Sequence, residues 1–139
     1  DTLQAAILNI KLKKLDEYIA ARQKAAAYYD KAFAGHPKIT TPFVASYTNH
    51  VFHQYTLILD NVNRDELNKY LAEHQVPSMI YYPVPAHRQK MFEAFGGGAY
   101  QLPLTDWLTE RVISLPIHTE LGEEQLAFIT QKVLAYINK

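Results

Sequence analysis

Residues Tyr81-Tyr82-Pro83-Val84-Pro85-Ala86-His87-Arg88-Gln89 place two phenols, an imidazole and a guanidinium on a backbone stiffened by two prolines. A rigid frame with several directional polar groups suits recognition of a hydroxylated ligand. The plainer reading is a strand end whose tyrosines alternate between core and surface, followed by a surface turn. On the residues alone the two readings stand side by side.

Six histidines invite a metal site, with His50 and His53 the closest pair. On a strand, residues three apart point to opposite faces, so these two do not chelate one ion without a bulge. In that strand His53 shares a face with Val51, Tyr55 and Leu57, and His50 goes with Phe52 and Gln54. His36, His74 and His118 are expected to be satisfied by hydrogen bonds. The run Gly96-Gly97-Gly98 lacks the lysine and hydroxyl of a P-loop and the spaced glycines of a dinucleotide turn, and reads as a loop. Ser46, Ser78 and Ser114 have no nucleophile-elbow context, and no carboxylate pair stands out as acid and base.

The elements that would position these groups follow from periodicity. Residues 1–33 contain neither proline nor glycine, and Leu8, Leu12, Leu15, Ile19, Ala26, Tyr29 and Phe33 recur at helical spacing, interrupted by Arg22. This predicts one long linking helix over residues 1–34, stopped by Gly35 and Pro37. At about 100° per residue, Leu3, Ile7 and Ile10 form a second apolar stripe that asks for a partner beyond the chain's own core. A short edge strand is expected at 38–41 and a strong strand at 50–59. A helix capped by Asn63 or Asp65 should run from 64 to about 75, with Leu67, Tyr70 and Leu71 inward. A strand at 78–82, a short helix at 87–95, helical turns at 104–110, a strand at 111–115 and a closing helix at 123–138 complete the order. The 139 residues read as one α+β domain, with a small antiparallel or mixed sheet covered by helices on one face and the compact part at 38–139. The long connections at 42–49 and 83–103 are expected to carry function.

Fourteen basic residues balance fourteen acidic ones, which removes the field expected of a nucleic-acid binder. No apolar run reaches the roughly 20 residues of a membrane span, and no export leader is visible. The absence of cysteine excludes disulfides and thiolate chemistry and is compatible with the cytoplasm. Helical periodicity starts at once from Asp1, so the chain is expected to be a piece of something longer.

Four blocks, in order, resemble the C-terminal region of the DegT/DnrJ/StrS family of nucleotide-sugar aminotransferases. They are Asp1-Thr2-Leu3-Gln4-Ala5-Ala6 leading to Lys11-Leu12 and Leu15-Asp16; His50-Val51-Phe52-His53-Gln54-Tyr55; Tyr82 to Gln89; and Ser114-Leu115-Pro116-Ile117-His118. The resemblance implies a homodimer with the aspartate aminotransferase type of fold. It would use pyridoxal phosphate (PLP), an electron sink, to move an amino group from glutamate to a keto-sugar on a nucleoside diphosphate. It also implies that the cofactor's lysine lies upstream, outside these residues, so the chain alone should be inactive. Tyr82 and His87 are carried over as sugar or diphosphate contacts, and His53 and Tyr55 as weaker candidates for the same contacts, with support of the domain interface as their alternative. Arg88 is a candidate phosphate partner. Tyr81 departs from the pattern, since many members have histidine there. The alternative is a stand-alone ligand-binding or regulatory domain that dimerises through Leu3, Ile7 and Ile10.

Overall fold

The computed structural model describes residues 1–139. Helix α1 (Thr2–Leu12) starts at Asp1, whose side chain accepts hydrogen bonds from the amides of Leu3 and Gln4. The expected single helix is broken after it. The Lys14 amide donates to the Lys11 carbonyl three residues back, a tighter turn than the α-helical one. Lys14 then pairs with Glu17 at 2.8 Å in the first turn of α2 (Leu15–Phe33). Neither proline nor glycine marks the break; the local bias is three lysines within one turn, relieved by Glu17.

Helix α2 buries Ala25, Ala26, Tyr29 and Phe33. These pack with α5 (Glu123–Ile137), which turns Leu126, Ile129, Val133 and Ile137 inward. Between α2 and α5 in sequence come β1 (Ile39–Thr40), β2 (Tyr55–Leu59), α3 (Arg64–Glu73), α4 (Pro103–Thr109) and β3 (Val112–Leu115). The three strands form an antiparallel sheet in the order β1-β2-β3, with Leu57 opposite Ile113 and Thr56 opposite Ser114. Tyr55, Leu57 and Leu59 face the core with Ile113, and the alternate residues Thr56 and Ser114 join hydroxyls at 2.8 Å on the other face. Asn63 caps α3 by accepting from the amides of Asp65 and Glu66, and Leu67 and Leu71 complete the apolar layer. This is the expected α+β arrangement, with α2, α3 and α5 around one core. No helix is long and apolar enough to cross a membrane.

Two expected strands are shorter than their patterns. Residues 50–54 leave the sheet because side chains of α2 take their carbonyls. Arg22 Nη1 donates to the carbonyls of Phe52 and His53 at 3.2 and 3.3 Å, and Gln23 Nε2 donates to that of His50 at 3.0 Å. Phe52 adopts a positive φ of 48° and turns inward, so His53 and Val51 are exposed and do not share a face with Tyr55. Within 78–82 only Met79 pairs, exchanging both backbone hydrogen bonds with Ser114. The short helix expected at 87–95 is a pair of 3-10 turns, Ala86–Arg88 and Lys90–Phe95.

A further departure concerns α1, which buries none of its residues. Leu8 and Leu12, assigned to the inward stripe by periodicity, are 62% and 66% exposed, much like Leu3 and Ile10 on the second stripe. Leu57→Ala should therefore cost about 2–5 kcal/mol, whereas Leu8→Ser in the same chain should change stability by no more than about 0.5 kcal/mol. Urea unfolding of the two variants checks both values.

Two buried phenols are satisfied inside the core: Tyr29 donates to the Pro116 carbonyl at 2.8 Å and Tyr55 to Asp30 Oδ1 at 2.6 Å. Burial pushes both phenols well above the usual tyrosine range, and for Tyr55 the Asp30 carboxylate adds to it. The unfolded chain releases these protons near pH ~10 while the fold retains them. Their contribution to stability is thus complete below that pH and is lost as pH rises past it. In an alkaline ultraviolet titration, Tyr29→Phe and Tyr55→Phe should each remove one tyrosine from the late-ionising fraction.

Candidate functional site

The Pro83-Val84-Pro85 segment enters the 3-10 turn Ala86–Arg88 with Pro85 extended, at φ −67° and ψ 152°. This turn faces α4 across a cavity of about 500 Å³. Tyr81, Tyr82, Pro85 and Gln89 line one side, and Thr105 and Leu108 of α4 line the other. Val112 closes the floor from β3, on the face of the sheet opposite Ile113. Arg64 holds α4 in register from α3, its Nη1 donating to the carbonyls of Thr109 and Val112 at 2.8 and 3.3 Å. The cavity therefore has one wall fixed to the core and one wall made by the turn.

Tyr82 is 69% exposed, with its ring in edge contact with Tyr81 at 5.7 Å. His87, two residues past the second proline, is buried. Its Nε2 lies 3.2 Å from Asp106 Oδ1, but the angles give it no aligned hydrogen bond. Arg88 grips the same carboxylate in a fork, Nε to Oδ1 at 2.7 Å and Nη2 to Oδ2 at 2.6 Å. The Arg88 guanidinium holds the Asp106 carboxyl below the usual carboxylate range, and the carboxylate in turn raises Arg88. With two of its five N–H groups committed, Arg88 keeps two on Nη1 and one on Nη2 to offer a phosphate without breaking the fork.

The five residues expected from sequence fall in three places. Tyr82, His87 and Arg88 come together on the turn. His53 borders a separate cavity of about 430 Å³ at the α1–α2 junction, with Lys11, Tyr18, Arg22 and Glu120. Tyr55 is sealed in the core with its hydroxyl engaged by Asp30, so within this chain it is a packing residue. The histidines expected to be satisfied are bonded: His36 to Asn138, His74 to the Tyr70 carbonyl, and His118 from the Glu120 amide.

Sequence reasoning passed over Asp106, Arg22 and Gly97. Asp106 had no local signal, being one acid on a short helix. Arg22 did have one, since a lone cation in an apolar stripe needs buried acceptors, and here they are loop carbonyls. Gly97, dismissed as loop, is buried, and a Cβ there would sit 2.9 Å from the Phe92 carbonyl oxygen and 3.0 Å from that of His87. The residue 90–99 segment thus packs its backbone directly on the Ala86–Arg88 turn, which only glycine allows. Gly97→Ala should destabilise by about 1–3 kcal/mol through overpacking, measured by urea unfolding, whereas Gly98→Ala meets open space.

The fold is a small α+β domain with one three-stranded sheet, and an open cavity lies between residues 81–89 and α4. Residues 1–134 match the model of the DegT/DnrJ/EryC1/StrS aminotransferase family, and the chain belongs to that family. It is 39% identical over 133 residues to the UDP-N-acetyl-3-dehydro-alpha-D-glucosamine 3-aminotransferase of Acidithiobacillus ferrooxidans, covering 93% of this chain and 34% of that protein. It is 37% identical over 138 residues to a protein of Geobacillus stearothermophilus named pleiotropic regulatory protein, covering 98% of this chain and 37% of that one. Among solved structures it superposes on S. venezuelae DesV, crystallised in complex with a ketimine intermediate, with a TM-score of 0.87 at 32% identity, covering 98% of this chain and 36% of DesV. The chain thus spans about a third of the length of the relatives it matches.

Proposed function

We propose that these residues form the substrate-side wall of a PLP-dependent aminotransferase that transfers an amino group, with glutamate as donor, to a keto-sugar carried on a nucleoside diphosphate. The observation that carries the reading is the proline-stiffened segment that sets Tyr82 and Gln89 on an open cavity, with His87 and Arg88 held behind it against Asp106, in a chain whose family is aminotransferases. The named aminotransferase relative at 39% identity supports the substrate class.

The residues present do not by themselves fit the cofactor. A PLP-binding lysine needs a site that excludes water or sets cations beside it so that its amine is partly neutral. No lysine is among the buried residues of this chain. We therefore assign the cofactor and its lysine to the rest of a longer, homodimeric, cytoplasmic enzyme, and to these residues the tasks of binding and orienting the sugar nucleotide. Tyr82 offers its hydroxyl to the sugar or diphosphate, and the turn and α4 together exclude water from one side of the ligand. His53, at the α1–α2 junction, is assigned to a domain interface.

A spectral titration of the longer protein tests this. Glutamate should convert the bound cofactor to its amine form, and one of a panel of keto-sugar nucleotides should convert it back. Tyr82→Phe should raise the KM for that sugar nucleotide by roughly fivefold, the worth of one hydrogen bond of about 1 kcal/mol. The isolated 139 residues should show no transamination and no lysine-dependent PLP absorbance. A regulatory reading draws on the name of the Geobacillus relative; a cofactor spectrum indifferent to glutamate and to every sugar nucleotide would favour it.

A further inference from the structure

Asp106 is eighteen residues from Arg88 in sequence but touches the recognition turn at two consecutive side chains. It accepts the two-pronged bond of Arg88 and sets a carboxylate oxygen 3.2 Å from the buried His87 imidazole. The turn has two backbone hydrogen bonds of its own, Arg88 to Pro85 and Gln89 to Ala86, and residues 90–99 pack on it, but none of these contacts ties it to α4. Ala86–Arg88 is three residues long with no side-chain cap, and beyond Arg88 the nearest side-chain bond of the segment is Gln89 Nε2 to the Val84 carbonyl at 3.3 Å, at the edge of hydrogen-bond range. Helix α4, in contrast, is tied to the core through Arg64. A continuous path therefore runs from α3 through Arg64 to α4, and from Asp106 to His87 and Arg88. Thr105, the neighbour of Asp106, lines the cavity opposite Tyr82, so this contact sets the spacing between the two walls.

We propose that Asp106 is a positioning residue for sugar-nucleotide recognition: its carboxylate clamps Arg88 to α4, beside the buried His87, and so fixes the place of Tyr82 and the width of the cavity. Asp106 itself need not touch the ligand. The role rests on the reading of this turn as the substrate wall. It also accounts for an arginine that a free phosphate contact would leave unpaired: Arg88 serves first as the clamp's other jaw.

The test uses the full-length enzyme and its Asp106→Asn variant, which keeps the side-chain shape but removes the charge that the fork requires. The sugar-nucleotide KM should rise roughly tenfold or more, since small misplacements of binding groups carry costs of that order. The glutamate half-reaction, read as the cofactor's spectral change, should stay within about twofold of wild type. Amide exchange at residues 86–89 should quicken while α5 exchanges as before. Asp106→Glu, which restores the charge, should recover part of the lost affinity. A sugar-nucleotide KM within about twofold of wild type overturns the proposal, and so does an equal loss in both half-reactions accompanied by faster exchange throughout the domain, which marks a general structural role. A wild-type protein with no response to glutamate would instead sink the aminotransferase reading. The clamp would then be judged on exchange alone, with unchanged protection at residues 86–89 in Asp106→Asn overturning it.

Discussion

The antiparallel pairing of β2 with β3 is the constraint on which the rest of the chain depends. Its register sets Leu57 against Ile113 on one face and Thr56 against Ser114 on the other. One face thereby becomes the floor for α2, α3 and α5, where each fully buried aliphatic side chain contributes about 1.5–3 kcal/mol. The opposite face exposes Val112 to the cavity, and the edge of β3 away from β2 takes Met79 through its backbone bridge to Ser114. A slip of one residue would exchange the faces, exposing the apolar set and removing the cavity floor together. Site and core are thus two sides of one ladder.

Where the ladder ends, side chains replace it. The carbonyls of His50, Phe52 and His53 are met by Arg22 and Gln23, and the buried Arg64 closes the α4–β3 junction in the same way. A backbone carbonyl that leaves the ladder can take a side-chain donor in place of a strand. This explains both the early end of β2 and the cation in the middle of the α2 stripe. The β-branched and aromatic run at 50–59 was legible as extended structure because propensity is local, but its true boundary at Tyr55 depended on donors thirty residues away.

The same division governs how much of the remainder could be read from the residues. Helices α2, α3 and α5 were legible because their apolar spacing is matched by a real core, and of the two cap candidates for α3, Asn63 and Asp65, the structure uses Asn63. The break at Lys13–Lys14 was not, since no breaker residue marks it. Within the site, the turn that carries Tyr82, His87 and Arg88 announced itself through its prolines. The partner that organises it did not, because Asp106 is brought there by tertiary packing alone. Gly97 shows the converse: its type was visible, but the need for a missing Cβ arises only where the backbone of one turn lies against another.

Helix α1 extends the argument beyond the chain. An isolated helix of fewer than about 12 residues is marginal in water, and most helical stability in proteins comes from a packed face. Helix α1 has eleven residues and packs none of them, although Leu3, Ile7, Leu8, Ile10 and Leu12 lie on more than one of its sides. Asp1 caps it, but a cap contributes only about 1 kcal/mol, less than the backbone entropy of ordering a single turn. Apolar residues on two sides of one short helix fit a segment wedged between bodies better than one lying on a single surface. A large domain on one side and a second subunit on the other, as in the longer homodimeric aminotransferase proposed for this chain, would supply both covers.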